Sequence, residues 1–395
     1  MQDELSIRQT AIRLRLAGES VESICRTLKR SRAWWHKWWQ RYLESGPAGL
    51  YDLTRGNRQV VNRTPPHIER AVISIRRRLA ARATPQTRYS QIGAAQIRAE
   101  LETLGYSPLP CLRTIHRIID RAGLSCPPLR LASRIARNEY PGPQARDSNQ
   151  VHQVDIVGPR YLKGSSTRYY FLVCKDVFDQ SIYIEFVDSR RMEGVIDFLV
   201  HAWQQLGLPD KVQFDNGREF CGFGYAARFL SRVIRLCLRL GVEPVFIPKG
   251  KPQHNGSVEN FNGGFQPLLL SRPFRRPGDV RRELRRLMVT VNEQHVHATL
   301  GGCTSTQYRR GKRLRKLPAN FTIDEKKLPI AAGKVTFIRL VSVHGTARIL
   351  GQSFKVGKRL KFQYVKVTLY TKYQRLKAYH KGKLVKEFPY PLSKK

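Results

Sequence analysis

Acidic residues are scarce in this chain of 395 residues: 30 Asp and Glu stand against 71 Lys and Arg, giving a formal net charge of +41 and a pI near 10.6. An excess of that size goes far beyond what solubility requires, and its self-repulsion opposes compactness unless a polyanion offsets it. Long apolar runs are missing too. No stretch of about 18 apolar residues occurs, and the opening "MQDELSIRQTAIRLRL" alternates charge where a signal peptide needs an apolar core. These absences argue against a membrane span and leave nucleic acid a better partner than an anionic membrane surface. The cysteines at 25, 111, 126, 174, 221, 237 and 303 form no C-x-x-C pair, so a disulfide framework is not expected and a cytoplasmic location is. His295, His297 and Cys303 sketch at most an irregular zinc site without a fourth ligand.

What is present is a globular share of apolar residues, 41%, in a chain long enough for about two to four domains. The patterning predicts a multidomain α+β protein. Residues 1–58 read as helices: Gly18 ends the first, Ser20 caps a second that buries Val21, Ile24, Cys25 and Leu28, and Ser31 caps a basic third after the turn "KRS". Helix, tight turn and basic helix make a helix-turn-helix DNA-binding pattern. Four of the five tryptophans (34, 35, 38, 39) fall in the third helix; an i, i+4 pair is expected in the core, with Arg32, His36, Lys37 and Arg41 facing out toward DNA.

Residues 62–126 repeat the pattern, with Ile92, Ile97 and Leu101 inward on one helix and Leu112, Ile115, Ile118 and Ile119 inward on the next. Arg113, His116, Arg117 and Arg121 then face outward; two similar modules suggest a long DNA site read in two parts, the alternative being that one of the two only packs against the region that follows. A Pro- and Arg-rich linker is expected over 127–149. From 150 to 315 the period changes. Three β-rich runs ("VHQVDIVGPRYL", "RYYFLVCKDVFD", "SIYIEFVDS") precede alternating helices and strands, a mixed α/β core. Over 326–392 the chain turns β again with Glu387 as its one acid, which predicts a small basic β-barrel contacting DNA backbone.

Three acids sit where carboxylates are costly. Asp155 lies inside the first strand, Asp215 ends a later one, and Glu259 opens the helix "SVENFNGGFQPLLL". Converging at one sheet edge they would repel unless divalent cations stood between them, as in two-metal phosphoryl transfer. Gly250, Gly256 and the surrounding amides would let a sugar–phosphate backbone approach, and Lys249 and Lys251 would neutralise it. Asp176, Asp179 and Asp188 are strand-end acids as well, and "FDNG" alone suits an ordinary turn.

Together "VDIVGP", "FDNGREF" and "GKPQHNGSVENFN" resemble the catalytic core of DDE transposases and retroviral-type integrases, most strongly over about 150–310. The flanking segments resemble those of bacterial insertion-sequence transposases. The resemblance implies an RNase H-like core. It makes Asp155, Asp215 and Glu259 the metal ligands for two Mg²⁺, with Mn²⁺ able to substitute. Asn216 and Gly217 would shape the turn after the second Asp, and Gln253, His254 and Asn255 would belong to a flexible loop beside the site. It further implies an enzyme that binds the terminal inverted repeats of a mobile element as a dimer or tetramer, frees 3′-hydroxyls and joins them to target DNA. Such an enzyme would work at the bacterial nucleoid, with an ATPase partner for target choice left open. A nuclease of structured nucleic acid and a DNA-binding regulator with an inactive core are the alternatives. Two departures from the retroviral pattern stand out. The step from Asp215 to Glu259 is longer, with the extra residues assigned to a lengthened helix in "CGFGYAARFLSRVIRLCLRLG", and helix-turn-helix modules replace an N-terminal zinc domain. Asp176 lies outside the motifs, so Asp176→Asn is expected to keep activity.

Overall fold

Two serines start the helices on either side of the "KRS" turn. Ser20 Oγ accepts from the Ser23 amide (3.2 Å) and Ser31 Oγ from the Trp34 amide (3.1 Å), satisfying first-turn donors of α2 (Val21–Thr27) and α3 (Arg32–Ser45). The computed structural model describes residues 4–52, 63–125, 140–222, 228–248, 250, 252–323 and 328–393. Its contacts divide the chain into two units, Met1–Thr64 and Pro65–Lys395. In the first, α1 (Glu4–Leu16) and α2 pack on α3 around Ala11, Ile12, Ile24, Trp35 and Trp38. The buried tryptophans are thus three residues apart. The i, i+4 partner Trp39 is half-buried and stacks on Trp35 with ring centroids 5.4 Å apart.

The second unit begins with three helices, α4 (Pro66–Ala81), α5 (Ala94–Thr103) and α6 (Leu112–Arg121), whose core is Ile68, Val72, Ile75, Ile97, Ile115 and Ile118 with their neighbours. Leu112, expected inward, is 36% exposed at the start of α6. This module is fastened to the rest of its unit by polar contacts. Arg88, in the loop before α5, pairs with buried Glu283 (2.6 Å), Tyr89 Oη donates to the same carboxylate (3.2 Å), and the Tyr89 carbonyl lies 2.7 Å from His295 Nε2. His295 is held down to about 4, chiefly by burial, so it is neutral at pH 7, with its Nε2 engaged by the Tyr89 carbonyl.

The centre is a mixed sheet. β1 (Val151–Arg160), β2 (Tyr169–Asp176) and β3 (Ile182–Val187) form an antiparallel meander. After α7 (Met192–Leu206), β4 (Lys211–Phe214) returns parallel to β1, and after α8 (Arg218–Cys221) and α9 (Arg232–Arg239), β5 (Glu243–Phe246) lies parallel to β4. In the segment expected to be one lengthened helix, 221–241, the described residues are helical at Cys221, the end of α8, and over α9, while 223–227 lie outside the described residues. Buried Ser231 starts α9, its hydroxyl capping the Ile234 amide (3.2 Å) and donating to the Phe220 carbonyl (2.5 Å). One sheet face buries Val154, Leu172, Phe198, Trp203 and Ile234 against α7 and α9. The other buries Phe171, Val173, Ile184, Val258 and Leu284 against α10 (Gly256–Leu270) and α11 (Pro277–Val289). A five-residue α12 (Ser305–Arg309) follows. The free edge at β3 is blunted by side chains: Asn292 takes the Ile182 amide (2.8 Å) and returns a bond to its carbonyl (2.9 Å).

The C-terminal region is β, as expected, but its described strands do not close into a barrel apart from the core. β6 (Lys334–Leu340) pairs parallel with β5, and β9 (Tyr364–Tyr370), β10 (Arg375–His380) and β11 (Lys383–Pro389) continue one nine-stranded sheet in the order β11-β10-β9-β6-β5-β4-β1-β2-β3. The hairpin β7 (Thr346–Ile349) and β8 (Gln352–Lys355) forms a separate two-stranded sheet, with Ala347 and Ile349 buried in the shared core. The join is apolar. Phe246 and Phe337 stack 5.2 Å apart across it. No helix among the described residues is long and apolar enough to cross a membrane.

Candidate active site

Strand alternation places Gln153 and Asp155 on one face of β1, and Gln213 and Asp215 repeat that spacing at the end of β4. The parallel register sets Gln153 opposite Gln213; continued by two residues it brings Asp155 level with Asp215. The two buried glutamines anchor the helix that crosses this face. Gln213 Nε2 donates to the His254 carbonyl (2.7 Å) and Asn255 Oδ1 (3.2 Å), while Gln153 Oε1 accepts from the Val258 amide (3.0 Å). Asn255, itself buried, donates to the Val154 carbonyl (3.2 Å). Lys175, opposite Gln153 on β2, donates to Ser257 Oγ (3.0 Å). These bonds fix the first turn of α10 and with it Glu259. One turn further, Asn262 Nδ2 donates to Asp155 Oδ2 (2.7 Å).

The second aspartate is held by its own turn. The Gly217 amide donates to Asp215 Oδ1 (2.8 Å), and a Cβ at Gly217 would stand 3.0 Å from that oxygen and 2.9 Å from Glu219 Cδ, so a larger residue there would push on both carboxylates. Asn216 Nδ2 donates to the Ile247 carbonyl (2.6 Å) and its Oδ1 accepts from Arg339 of β6 (2.7 Å). Lys249 and Lys251 lie outside the described residues; Gln253 belongs to the turn Pro252–Asn255 that leads into α10.

Burial pushes the Asp155 carboxyl above the ordinary range, against the pull of the Ile156 amide and Asn262. Asp215 is raised by burial, opposed by the Gly217 amide and reinforced by the charges of Asp155 and Glu219. Glu259 is raised by burial and by Asp155. Three carboxyls that disfavour one another's ionisation, without an ion pair to any basic side chain among the described residues, call for a cation from outside. Asn262 Oδ1 is likewise buried and unpartnered beside Asp155. Carboxylate and amide oxygens are hard donors that suit Mg²⁺ or Mn²⁺. As they stand, no three His, Cys, Asp or Glu side chains among the described residues form a ready-made metal cluster.

This is the geometry against which family models and solved structures are informative. Two models described as "Integrase core domain" match residues 145–252 and 240–304, and a "Homeodomain-like domain" model matches 3–51. The chain carries an integrase core. Solved structures are similar to it at low identity. The catalytic core of HTLV-2 integrase, solved in complex with magnesium, is 20% identical over 42% of this chain and 99% of its own, with a TM-score of 0.34. A simian T-cell lymphotropic virus intasome chain, in complex with the PP2A regulatory subunit B56 gamma, is 20% identical over 67% and 86%, TM-score 0.36. The BIV integrase core is 18% identical over 40% and 93%, TM-score 0.31.

Ahead of the integrase core, the residues expected at DNA fall into two groups. Arg32, His36 and Lys37 are exposed on α3, with Arg32 paired to Glu22 and the Lys37 ammonium 5.1 Å from the Trp38 ring centre. Arg41 is half-buried instead, donating to the Tyr51 carbonyl (2.7 Å) over the same ring, which makes it a brace for the helix end. On α6, Arg113, His116 and Arg117 are exposed, and Arg121 pairs with Glu69 (2.9 Å). Sequence reasoning missed Gln153, Gln213, Lys175, Asn262 and Arg339. A signal for the first two was present: both aspartates end the same kind of triplet, "QVD" and "QFD".

Proposed function

We propose that this chain is a DNA transposase that cuts at the ends of a mobile element and joins the freed 3′-hydroxyls to target DNA. The observation that carries the reading is the parallel register that, continued from Gln153 and Gln213, brings Asp155 level with Asp215, both raised by burial and without an ion pair among the described residues, with Glu259 on the helix that Gln153 anchors. In this reading Asp155, Asp215 and Glu259 would hold two Mg²⁺, with Mn²⁺ able to substitute; once bound, the metal supplies activation of the attacking oxygen and stabilisation of the leaving one.

The chain's own residues do the rest. Asn262 orients Asp155, the Gly217 amide orients Asp215, and the Gln153, Gln213 and Lys175 bonds keep the first turn of α10 in place. Gly217 lets the turn close on Asp215 without a side chain crowding its carboxylate. The basic helices α3 and α6 would read or grip element ends while lysines of the C-terminal strands contact phosphates, and a dimer or tetramer would hold two ends together. An ATPase partner and nucleoid association belong to the same proposal.

The test is joining of a pre-cut element end to target DNA in Mg²⁺ or Mn²⁺. Wild type is expected to join, and Lys37→Glu to lose preference for the end over competitor DNA. Cleavage of hybrids or branched DNA without joining would favour the nuclease reading. Sequence-specific binding without any metal-dependent chemistry would favour the regulator.

A further inference from the structure

The C-terminal strands reach the active site at two points that a detachable DNA-binding tail would not need. On the adjacent strands β6 and β9, where Leu340 faces Tyr364, Arg339 and Tyr364 each project to one half of the site. Arg339 is half-buried against it: its guanidinium donates to Asn216 Oδ1 (2.7 Å), the Ile247 carbonyl (2.9 Å) and the Arg348 carbonyl (3.0 Å), gripping the turn after Asp215. Tyr364 Oη lies 3.1 Å from His254 Nε2, in the turn just ahead of Glu259. The other side of the His254 ring is covered by Tyr140, stacked at 3.7 Å with an interplanar angle of 13°, and Tyr140 meets Tyr364 edge-on at 5.5 Å. Gly142 lets the chain fold back over that ring, since a Cβ there would fall 2.4 Å from Tyr140 Cε1. The Tyr140 hydroxyl has no hydrogen-bond partner among the described residues, so its ring alone makes the contact.

We infer that Tyr140, Tyr364 and Arg339 are positioning residues of the active site, clamping His254 and the Asp215 turn so that Glu259 is held over the two aspartates; the catalytic consequence rests on the transposase reading, the clamp itself does not. His254 is the mechanical link. Its carbonyl is already tied to Gln213, and its ring is held by Tyr140 at one face and by Tyr364 at its Nε2 edge, so the first turn of α10 has little freedom left.

The experiment uses the full chain with Tyr140→Ala, Tyr140→Phe and Tyr364→Phe, reading amide hydrogen exchange and joining of a pre-cut DNA end. Tyr140→Ala is expected to speed exchange across His254–Asn262 while leaving α4–α6 and α11 unchanged, and to lower kcat about 10- to 100-fold with KM for the DNA end within about twofold. Tyr140→Phe should match wild type, because the hydroxyl is unused, and Tyr364→Phe should fall between the two. If Tyr140→Ala does not fold, Tyr140→Leu takes its place. Wild-type exchange at His254–Asn262 in the Ala or Leu variant would overturn the clamp, as would exchange rising across the whole unit. Tyr364→Phe indistinguishable from wild type would overturn the part assigned to Tyr364. A wild-type protein that joins no DNA would sink the transposase reading, while the exchange measurement would still decide the clamp.

Discussion

Two groups of carboxylates stand a few residues apart along β1, and they are treated in opposite ways. Beside His152, Asp176 and Asp179 are fully buried and fully paired. Arg309 reaches Asp176 Oδ2 (2.9 Å) and Asp179 Oδ2 (2.6 Å), the Asn149 amide donates to Asp176 (2.6 Å), and His152 stands 3.5 Å away. Burial alone would raise Asp176, but the His152 hydrogen bond and charge, with Arg309, hold it below the ordinary range. Three residues further along β1, Asp155 is raised, as are Asp215 and Glu259, and none of the three has an ion pair to a basic side chain among the described residues. A paired buried acid is a structural joint. An unpaired one, in a chain with 71 basic residues to choose from, marks a place where the counter-charge arrives from outside.

The largest effect that would sharpen this contrast is on chemistry. Asp155→Asn, Asp215→Asn and Glu259→Gln should each lower end joining by at least about 10³-fold while leaving binding to element ends intact. A variant that kept joining within about tenfold would remove its residue from the site. On the other side of the comparison, Asp176→Asn should act on stability. Weakening a fully buried pair with Arg309 costs about 3 kcal/mol, read as a lower denaturant midpoint. The sequence alone presents Asp176 as a neutral control outside the motifs; its burial makes it a structural residue, and an unchanged midpoint would break the distinction between joint and site.

A smaller effect is expected one step out from the proposed metal ligands. Asn262→Ala removes the hydrogen bond that orients Asp155 and should reduce joining about 10- to 100-fold. Asn262→Asp, which replaces the donor with a fourth carboxylate, should do worse than Ala. If Asn262→Ala were neutral, Asp155 would be oriented by the Ile156 amide alone.

What could be read from the sequence divides along the same line. Both serine caps, the three-strand meander and the places of Asp155, Asp215 and Glu259 on strand, strand end and helix come from local patterning and short-range rules, and they match the structure. The partners that separate a joint from a site are long-range. Arg309 meets Asp176 from 133 residues away, and Arg88 meets Glu283 from 195. No window of sequence contains both ends of such a pair. For the same reason the C-terminal strands could be read as β but not as an extension of the core sheet, because the Phe246–Phe337 stack and the Arg339 contacts exist only after folding. The "QVD" and "QFD" repeat was legible. Its meaning, a pair of buried amides bracing α10, needed the parallel register.

The smallest expected effect tests the sign of the electrostatics without any DNA. Raised carboxyls favour the folded state when protonated, so in metal-free protein Asp155 and Asp215 contribute stability below their unfolded range near 3.8 and lose it as pH rises through their elevated folded values. Asp176 works in reverse: its lowered folded value contributes stability above 3.8 that is lost as pH falls through it. At pH 7 without metal, then, Asp155→Asn should unfold at a higher denaturant concentration than wild type, whereas Asp176→Asn should unfold at a lower one. Lowering the pH toward 4 should shrink the Asp155 difference, whereas the Asp176 difference should shrink only as pH falls below 3.8. Adding Mg²⁺ at pH 7 should stabilise wild type by mass action and Asp155→Asn much less, closing or reversing the gap between them. Metal-free Asp155→Asn no more stable than wild type at pH 7 would mean that the Asp155 charge is already compensated within the chain, and the case for an external cation there would fail.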